Sequence, residues 1–376
     1  MPETIFCNAQ LVLPDGACLG GVRLRAGTIA EILPGHVTGG VDLEGDLLLP
    51  GLIDLHTDNL ERQVAPRPNA RWPSRSALLA HDSHCIAAGI TTVLDALCLG
   101  DVGFEKERIR TFHEGIADLD ALAGTGLLKA EHFLHLRCEL PAPDMLAMFD
   151  PVAAHPRLRL VSLMDHCPGY GQYADLDYYR ALKRRDGFSD LDIDRLIATA
   201  RAQRARVRTP NRVALLARLA GRGIALASHD DRTEEEVAEN AADAIGISEF
   251  PVSMAAARAA RGHGMQVIAG APNIVRGGSH SGNVAAADLV TAGAVDAFAS
   301  DYVPSSLIEA AFACVRAGLL PLHAAVALVT ERPARMAGFT DRGRLTAGLR
   351  ADLVRVRVHE GLPVVRAVLR AGERVG

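Results

Sequence analysis

Histidines and carboxylates recur in this chain at one kind of place, the end of a short apolar run. His56 and Asp58 close PGLIDLHTD, while His135, Arg137 and Glu139 close HFLHLRCE. Asp165 and His166 close LVSLMDH, His229, Asp230 and Asp231 close IALASHDD, Glu249 closes ISE, and Ser300 and Asp301 close DAFASD. Alternate residues of a strand share a face, so His56 points with Asp58, and His135 and Arg137 point with Glu139. Imidazole nitrogen and carboxylate oxygen suit zinc, manganese or iron. A carboxylate shared by two such ions leaves a water of lowered pKa between them. His56, Asp58, Glu139, His166, His229 and Asp301 are therefore the expected ligands of one or two divalent metal ions per chain, zinc first among them. One histidine at a strand end is more often structural; the joint pattern carries the reading.

These residues need a scaffold that brings many strand ends together. Eight strand-like runs end at 54–56, 92–95, 134–139, 160–166, 224–229, 247–251, 266–270 and 297–301, with Ala/Leu/Arg-rich helical stretches between them. That alternation predicts an α/β fold, a (β/α)8 TIM-like barrel over 51–340, in which the active site lies at the C-terminal ends of the strands. No GxGxxG follows a strand, which argues against a doubly wound dinucleotide fold. The first 50 residues read as short strands and turns. The style returns in 341–376, where VRVRV alternates with period two. Residues 1–50 and 341–376 are expected to form one small composite β domain, a β-sandwich built from both chain ends.

Composition removes other classes. Of 376 residues, 49% are hydrophobic, enough for a sizeable core, and 40 Lys+Arg against 45 Asp+Glu give a net charge of −5. That balance is wrong for a nucleic-acid or anionic-membrane binder, both of which need a basic surface. No run is long enough to span a bilayer, and the N-terminus lacks the basic start of a secretory signal. Seven scattered cysteines with no CxxC pair fit free thiols in the cytoplasm. The arginine-rich stretch 201–218 reads as a solvated helix face.

PGLIDLHTD (50–58), ASHDD (227–231), ASDYVP (299–304) and the tail G-x-L-x-x-G-x-x-ADLV (343–354) resemble the amidohydrolase superfamily. The likeness covers nearly the whole chain and implies a metal-dependent hydrolase barrel with a small β domain made of both chain ends. HTDNLERQVAPRPNARWP (56–73), DHCPGYGQY (165–173), ISEFPVS (247–253) and GAPNIVRGGSHSGN (270–283) narrow it to a phosphonate-breakdown branch. Its reaction is release of pyrophosphate from a small-molecule triphosphorylated ribose carrying a phosphonate. The sequence departs from the commonest superfamily pattern. Asp58 stands where a second histidine is usual, and Glu139 stands in for the modified lysine that often bridges two ions. Histidines end the fourth and fifth runs rather than the fifth and sixth.

On this resemblance Asp301 is the expected catalytic residue, taking the proton of the attacking water, with attack at the α-phosphorus. A triphosphate needs cations and N–H donors. Arg137, Lys183, Arg184, Arg276, His280, Ser281 and Asn283 are the expected substrate-binding residues, together with Glu249, which ends the sixth run. Arg62 and Arg67, in the loop after the first run, are even between function and scaffolding. A homodimer is compatible with all of this. His81 and His84, three apart on a helix before the second strand, are assigned to packing or surface, and His132 to the strand face opposite His135. Two other readings stay open: a C–N hydrolase acting on a cyclic amide or N-acyl compound, and a barrel that has lost its chemistry and serves as a scaffold.

Overall fold

A computed structural model of the chain describes residues 3–67, 70–100, 106–279 and 282–376. Its N-terminal part forms β1 (Thr4–Leu13), β2 (Gly16–Arg25), β3 (Thr28–Pro34), β4 (Val41–Asp42) and β5 (Leu47–Pro50). Then come eight strands separated by helices: β6 (Leu52–Thr57), β7 (Ile90–Leu99), β8 (Glu131–Glu139), β9 (Leu158–Met164), β10 (Ala225–His229), β11 (Ile247–Glu249), β12 (Gln266–Gly270) and β13 (Ala297–Ala299). The chain ends with β14 (Leu353–His359), β15 (Leu362–Arg370) and β16 (Glu373–Arg374).

Strands β6 to β13 pair in sequence order and in parallel. A parallel bridge between Thr57 and Asp301 closes the ring. At this seam the Asp301 N–H donates to the His56 carbonyl at 2.9 Å, and the Asp58 N–H to the Asp301 carbonyl at 3.0 Å. Strand β7 runs on to Leu99, past the expected end near Asp95, while β9 and β13 stop before the polar residues expected to end them.

The period-two alternation of β8 sets up the site. His132, Leu134, Leu136 and Cys138 face the helices, while Phe133, His135, Arg137 and Glu139 face the barrel axis. Ile53, Leu94, Phe133, Leu160, Ile247 and Ile268 fill the barrel below the strand ends. Each fully buried side chain of this size contributes about 1.5–3 kcal/mol. The strand ends above them are thereby left as a ring of polar positions on a rigid floor.

The second sheet has the order β16-β15-β14-β5-β1-β2-β3, with β4 beside β1, so both chain ends contribute to it. Leu11, Val22, Ile29, Leu48 and Leu353 are buried in its core.

The arginine-rich stretch is not a solvated face. In the helix Asp190–Leu219, Arg204, Arg208 and Arg212 repeat every four residues and so share one side of the helix. Arg204 bonds Asp165 at 2.7 Å and lies 3.4 Å over the Tyr170 ring. Arg208 makes two 2.8 Å bonds to Glu239, and Arg212 is buried against Asp243 at 2.7 Å. The row clamps the helix to the loop after β9 and to the neighbouring helix Glu234–Ala242 with its C-cap Asp243. Among the described residues no helix is long and apolar enough to cross a membrane.

Candidate metal centre

The ends of the barrel strands open into a cavity of about 540 Å³ whose floor includes His56, Asp58, Glu139, His166, His229 and Asp301. Among the described residues two ligand groups line it, and a third, His56, His229 and Glu249, lies at its floor. In one of the two, His56, Asp58 and Asp301 bring ligand atoms within 4.8 Å of one another; in the other, His166, His229 and Asp230 do so. The His56 and His229 rings lie nearly parallel, with centroids 5.8 Å apart, so the groups adjoin.

The donor set fits divalent ions. The Nε2 atoms of His56 and His166 are buried and have no hydrogen-bond partner. Orphaned buried nitrogens are rare in proteins and call for a ligand to explain them. Beneath them, Glu249 is fully buried and accepts from His56 Nδ1 at 2.8 Å, His229 Nδ1 at 2.7 Å and the Ser162 hydroxyl at 2.9 Å. Burial alone would raise the Glu249 carboxyl, but the surrounding imidazoles outweigh it and hold it well below the usual carboxylate range. Asp301 goes the other way. Burial, and then the neighbouring Asp58 charge, push it up to about 8.

Backbone strain marks the same rim. Asp230, Phe250 and Asp301, just past β10, β11 and β13, all have positive φ, at 55°, 55° and 56°. Such a conformation is uncommon for aspartate and an outlier for phenylalanine. Each of the three donates its N–H across to a neighbouring strand, to Glu249, Ile268 and His56 respectively, at 2.9 Å. The strain is thus part of how the strand ends are tied together.

The structure brings all six expected metal ligands to the cavity, with one difference. Glu139 contacts His166 Nδ1 and accepts from the His166 backbone N–H at 3.3 Å; it belongs to neither three-residue group. Arg137 lines the cavity with its Nη1 3.6 Å from Asp58, and Lys183 and Asn283 line it too. Three expectations need correction. Glu249 does not reach the cavity, because both its oxygens are taken by the histidines and Ser162 beneath it. Arg184 turns away to Asp190 at 2.6 Å, since neighbouring residues on a helix point about 100° apart. Arg276, in the last turn of the helix Ala271–Arg276, is exposed and does not line the cavity. His280 and Ser281 lie outside the described residues.

Asp230 and Arg108 are among the cavity residues that the sequence reading did not assign to the site. Asp230 adjoins His229 in SHDD, but only its left-handed backbone turns it into the mouth while Asp231 bonds Ser228 and Ser248 below. Arg108, near the start of the helix Lys106–Leu122, lines the cavity and bonds Glu61 at 3.0 Å. Its signal was a basic KERIR opening the helix after the second barrel strand.

A further buried cluster sits outside the barrel ring. His81 and Asp82, on the helix Ser74–Ala87, meet Asp95 of β7 and His132 of β8. Asn59 donates to His81 Nδ1 at 2.9 Å, and His81 Nε2 donates to Asp95 at 2.8 Å. His132 donates to Asp95 at 2.9 Å and to Asp82 at 3.2 Å.

Comparison with known proteins places this geometry among relatives. A model described as the amidohydrolase family matches residues 187–373. The chain is 42% identical over 376 residues, 99% of its length, to the alpha-D-ribose 1-methylphosphonate 5-triphosphate diphosphatase of Escherichia coli (strain K12), all of which is covered. Among solved structures, an N-acetyl-D-glucosamine-6-phosphate deacetylase from Mycobacterium smegmatis is similar with a TM-score of 0.66 at 15% identity, over 100% of both chains. A dihydropyrimidinase from Brevibacillus agri also gives 0.66, at 14% identity over 99% of this chain and 95% of its own. At these identities the structures speak to the fold alone.

Proposed function

The chain belongs to the amidohydrolase superfamily, and from that premise we propose that it is a metal-dependent diphosphatase. It hydrolyses alpha-D-ribose 1-methylphosphonate 5-triphosphate to pyrophosphate and the 5-phosphoribosyl 1-methylphosphonate, a step of phosphonate breakdown. The observation that carries this is the 42% identity sustained over the full length of a relative bearing that name. The cavity supports it: Arg108, Arg137 and Lys183 line one chamber with the histidine–aspartate floor. Several cations there suit a triphosphate better than a neutral amide.

His56, Asp58 and Asp301 would hold one divalent ion, and His166, His229 and Asp230 a second, zinc in each. Such ions supply Lewis-acid charge that acidifies water and offsets charge on phosphoryl oxygens. The chain's own groups do the rest. Asp301 takes the proton of the attacking water as its oxygen bonds to the α-phosphorus. The bridge from the α- to the β-phosphorus breaks, and pyrophosphate leaves with the bonding pair. Arg137, Arg108 and Lys183 stabilise charge on the equatorial oxygens and the departing pyrophosphate. Ser279 and Asn283 contribute donors at the rim. The cytoplasm suits seven cysteines that form no disulfide.

The test is to incubate zinc-loaded protein with this substrate in heavy-oxygen water, beside ribose 5-triphosphate and a nucleoside triphosphate. The expected result is stoichiometric pyrophosphate, with the isotope in the phosphoribosyl product. Release of single phosphates, or label in pyrophosphate, would remove the diphosphatase reading or the site of attack.

A further inference from the structure

We propose that Glu249 is a positioning residue that sets the tautomers of His56 and His229 together, so that one carboxylate orients a histidine in each of the two ion-binding groups. The inference rests on the metal-dependent reading above.

A carboxylate can only accept hydrogen bonds. Oε1 lies 2.8 Å from His56 Nδ1 and Oε2 lies 2.7 Å from His229 Nδ1, so both imidazoles carry their proton on Nδ1. Each then presents a lone pair at Nε2, the form that binds a cation. His56 Nε2 is the orphaned buried atom of the floor, and His229 Nε2 sits 3.5 Å from Asp230. The two rings lie nearly parallel above Glu249, at a 16° interplanar angle. The short Nδ1–oxygen distances also rule against an ion between Glu249 and these nitrogens. A metal bonded to both partners at ~2.0–2.2 Å would spread them to about 3 Å or more.

The two oxygens are not equivalent in their surroundings. Oε2 takes two donors, His229 Nδ1 and the Ser162 hydroxyl at 2.9 Å, whereas Oε1 takes His56. An amide at this position has one acceptor oxygen for two Nδ1–H groups, and the Ser162 hydroxyl can turn to accept, so either orientation sets the NH2 against one of the two histidines; with the oxygen toward His229, that histidine is His56. His56 would then have to accept at Nδ1 and carry its proton on Nε2, where it has no lone pair to offer. His229 would be left as it is. Glu249→Gln is therefore a lesion of one ion-binding group, although the residue touches both.

The experiment is zinc binding to the full chain, titrated against a competing chelator, for wild type, Glu249→Gln and Ser162→Ala. Nδ1 or Nε2 protonation of His56 and His229 is read from nitrogen-15 NMR of the metal-free proteins. Wild type should bind two zinc ions. Glu249→Gln should keep one and bind the other about 10–100-fold more weakly, the usual loss when a partner of a ligand is removed. One of its two histidines, His56 or His229, should move alone to the Nε2-protonated form. Ser162→Ala keeps the carboxylate and should keep both ions and both tautomers. Two ions at unchanged affinity in Glu249→Gln, or both histidines still protonated on Nδ1, would overturn the role of Glu249 and leave the metal reading standing. A wild type that binds no zinc would overturn the metal reading itself. If Glu249→Gln fails to fold, the wild-type tautomers decide: either histidine protonated on Nε2 sinks the proposal.

Discussion

At the barrel mouth, His56, His166 and His229 stand among Glu249, Asp230, Asp58 and Asp301. In the wall between the helix Ser74–Ala87 and strands β7 and β8, His81 and His132 stand among Asp82 and Asp95. The wall cluster is fully buried and the mouth cluster partly so, and both bring three ligand-type atoms within 4.8 Å. They differ in how their protons close. In the wall every ring nitrogen has a partner, from Asn59 through His81, Asp95 and His132 to Asp82. Asp82 also takes the backbone N–H groups of Lys129 and Ala130. At the mouth, Glu249 and Glu139 occupy the Nδ1 atoms, while the Nε2 atoms of His56 and His166 are left over. Residue type does not separate a reactive centre from a structural knot. Unsatisfied hydrogen-bonding capacity does, because a buried polar group without a partner is costly unless something else binds it.

That contrast can be broken at either end. The largest effect is expected from Asp301→Asn, where the amide cannot take a proton. Pyrophosphate release should fall by about 10²–10⁴-fold while the circular dichroism spectrum is retained; an undiminished rate would remove Asp301 from the proton-accepting role. In the wall, Asp95→Asn takes the counter-charge from His132 and should cost about 3–5 kcal/mol of stability by urea titration. The zinc content of the folded protein should not change, and lost zinc with unchanged stability would reverse the assignment of the two clusters. The smallest effect is a pH slope. Burial would lower the His132 imidazole, but Asp95 and Asp82 outweigh it and carry it up to about 9. A raised histidine gives stability that is complete below its unfolded value near 6.5 and is lost as pH rises through about 9. The fall across that window should flatten in His132→Gln. His166, also raised to about 9, contributes its own slope in the metal-free protein, so the comparison belongs in the zinc-loaded one. Equal slopes in the two proteins would show that the wall carries no charge.

Much of the fold was legible because several barrel strands are apolar runs with polar residues at or just past their C-terminal end, as in Leu52–Thr57, Leu158–Met164 and Ala225–His229. Even the strand count survived: His166 follows the fourth barrel strand, His229 ends the fifth and Glu249 ends the sixth. Finer assignments needed quantities that a sequence does not print. Lys183 and Arg184 are chemically alike and adjacent, and only helix phase puts one in the cavity and the other on Asp190. Asp230 and Asp231 are identical in type, and a positive φ decides which faces the mouth. Glu249 has the right type and strand end for a substrate contact, but three donors beneath the floor claim it first. The arginines of 201–218 looked solvated because their acidic partners lie far away in sequence, at Asp165, Glu239 and Asp243.

The seam between β6 and β13 has a consequence for how the protein comes into being. The Thr57–Asp301 bridge that closes the barrel is made by the backbone beside His56 and Asp58. A growing chain makes these two residues with the first barrel strand, yet they meet their third companion only when the eighth barrel strand emerges and docks on the first. The ring and one whole ion-binding group are thus completed in a single, long-range event. A nascent or truncated chain lacks that group altogether, so reactivity arrives together with the finished architecture.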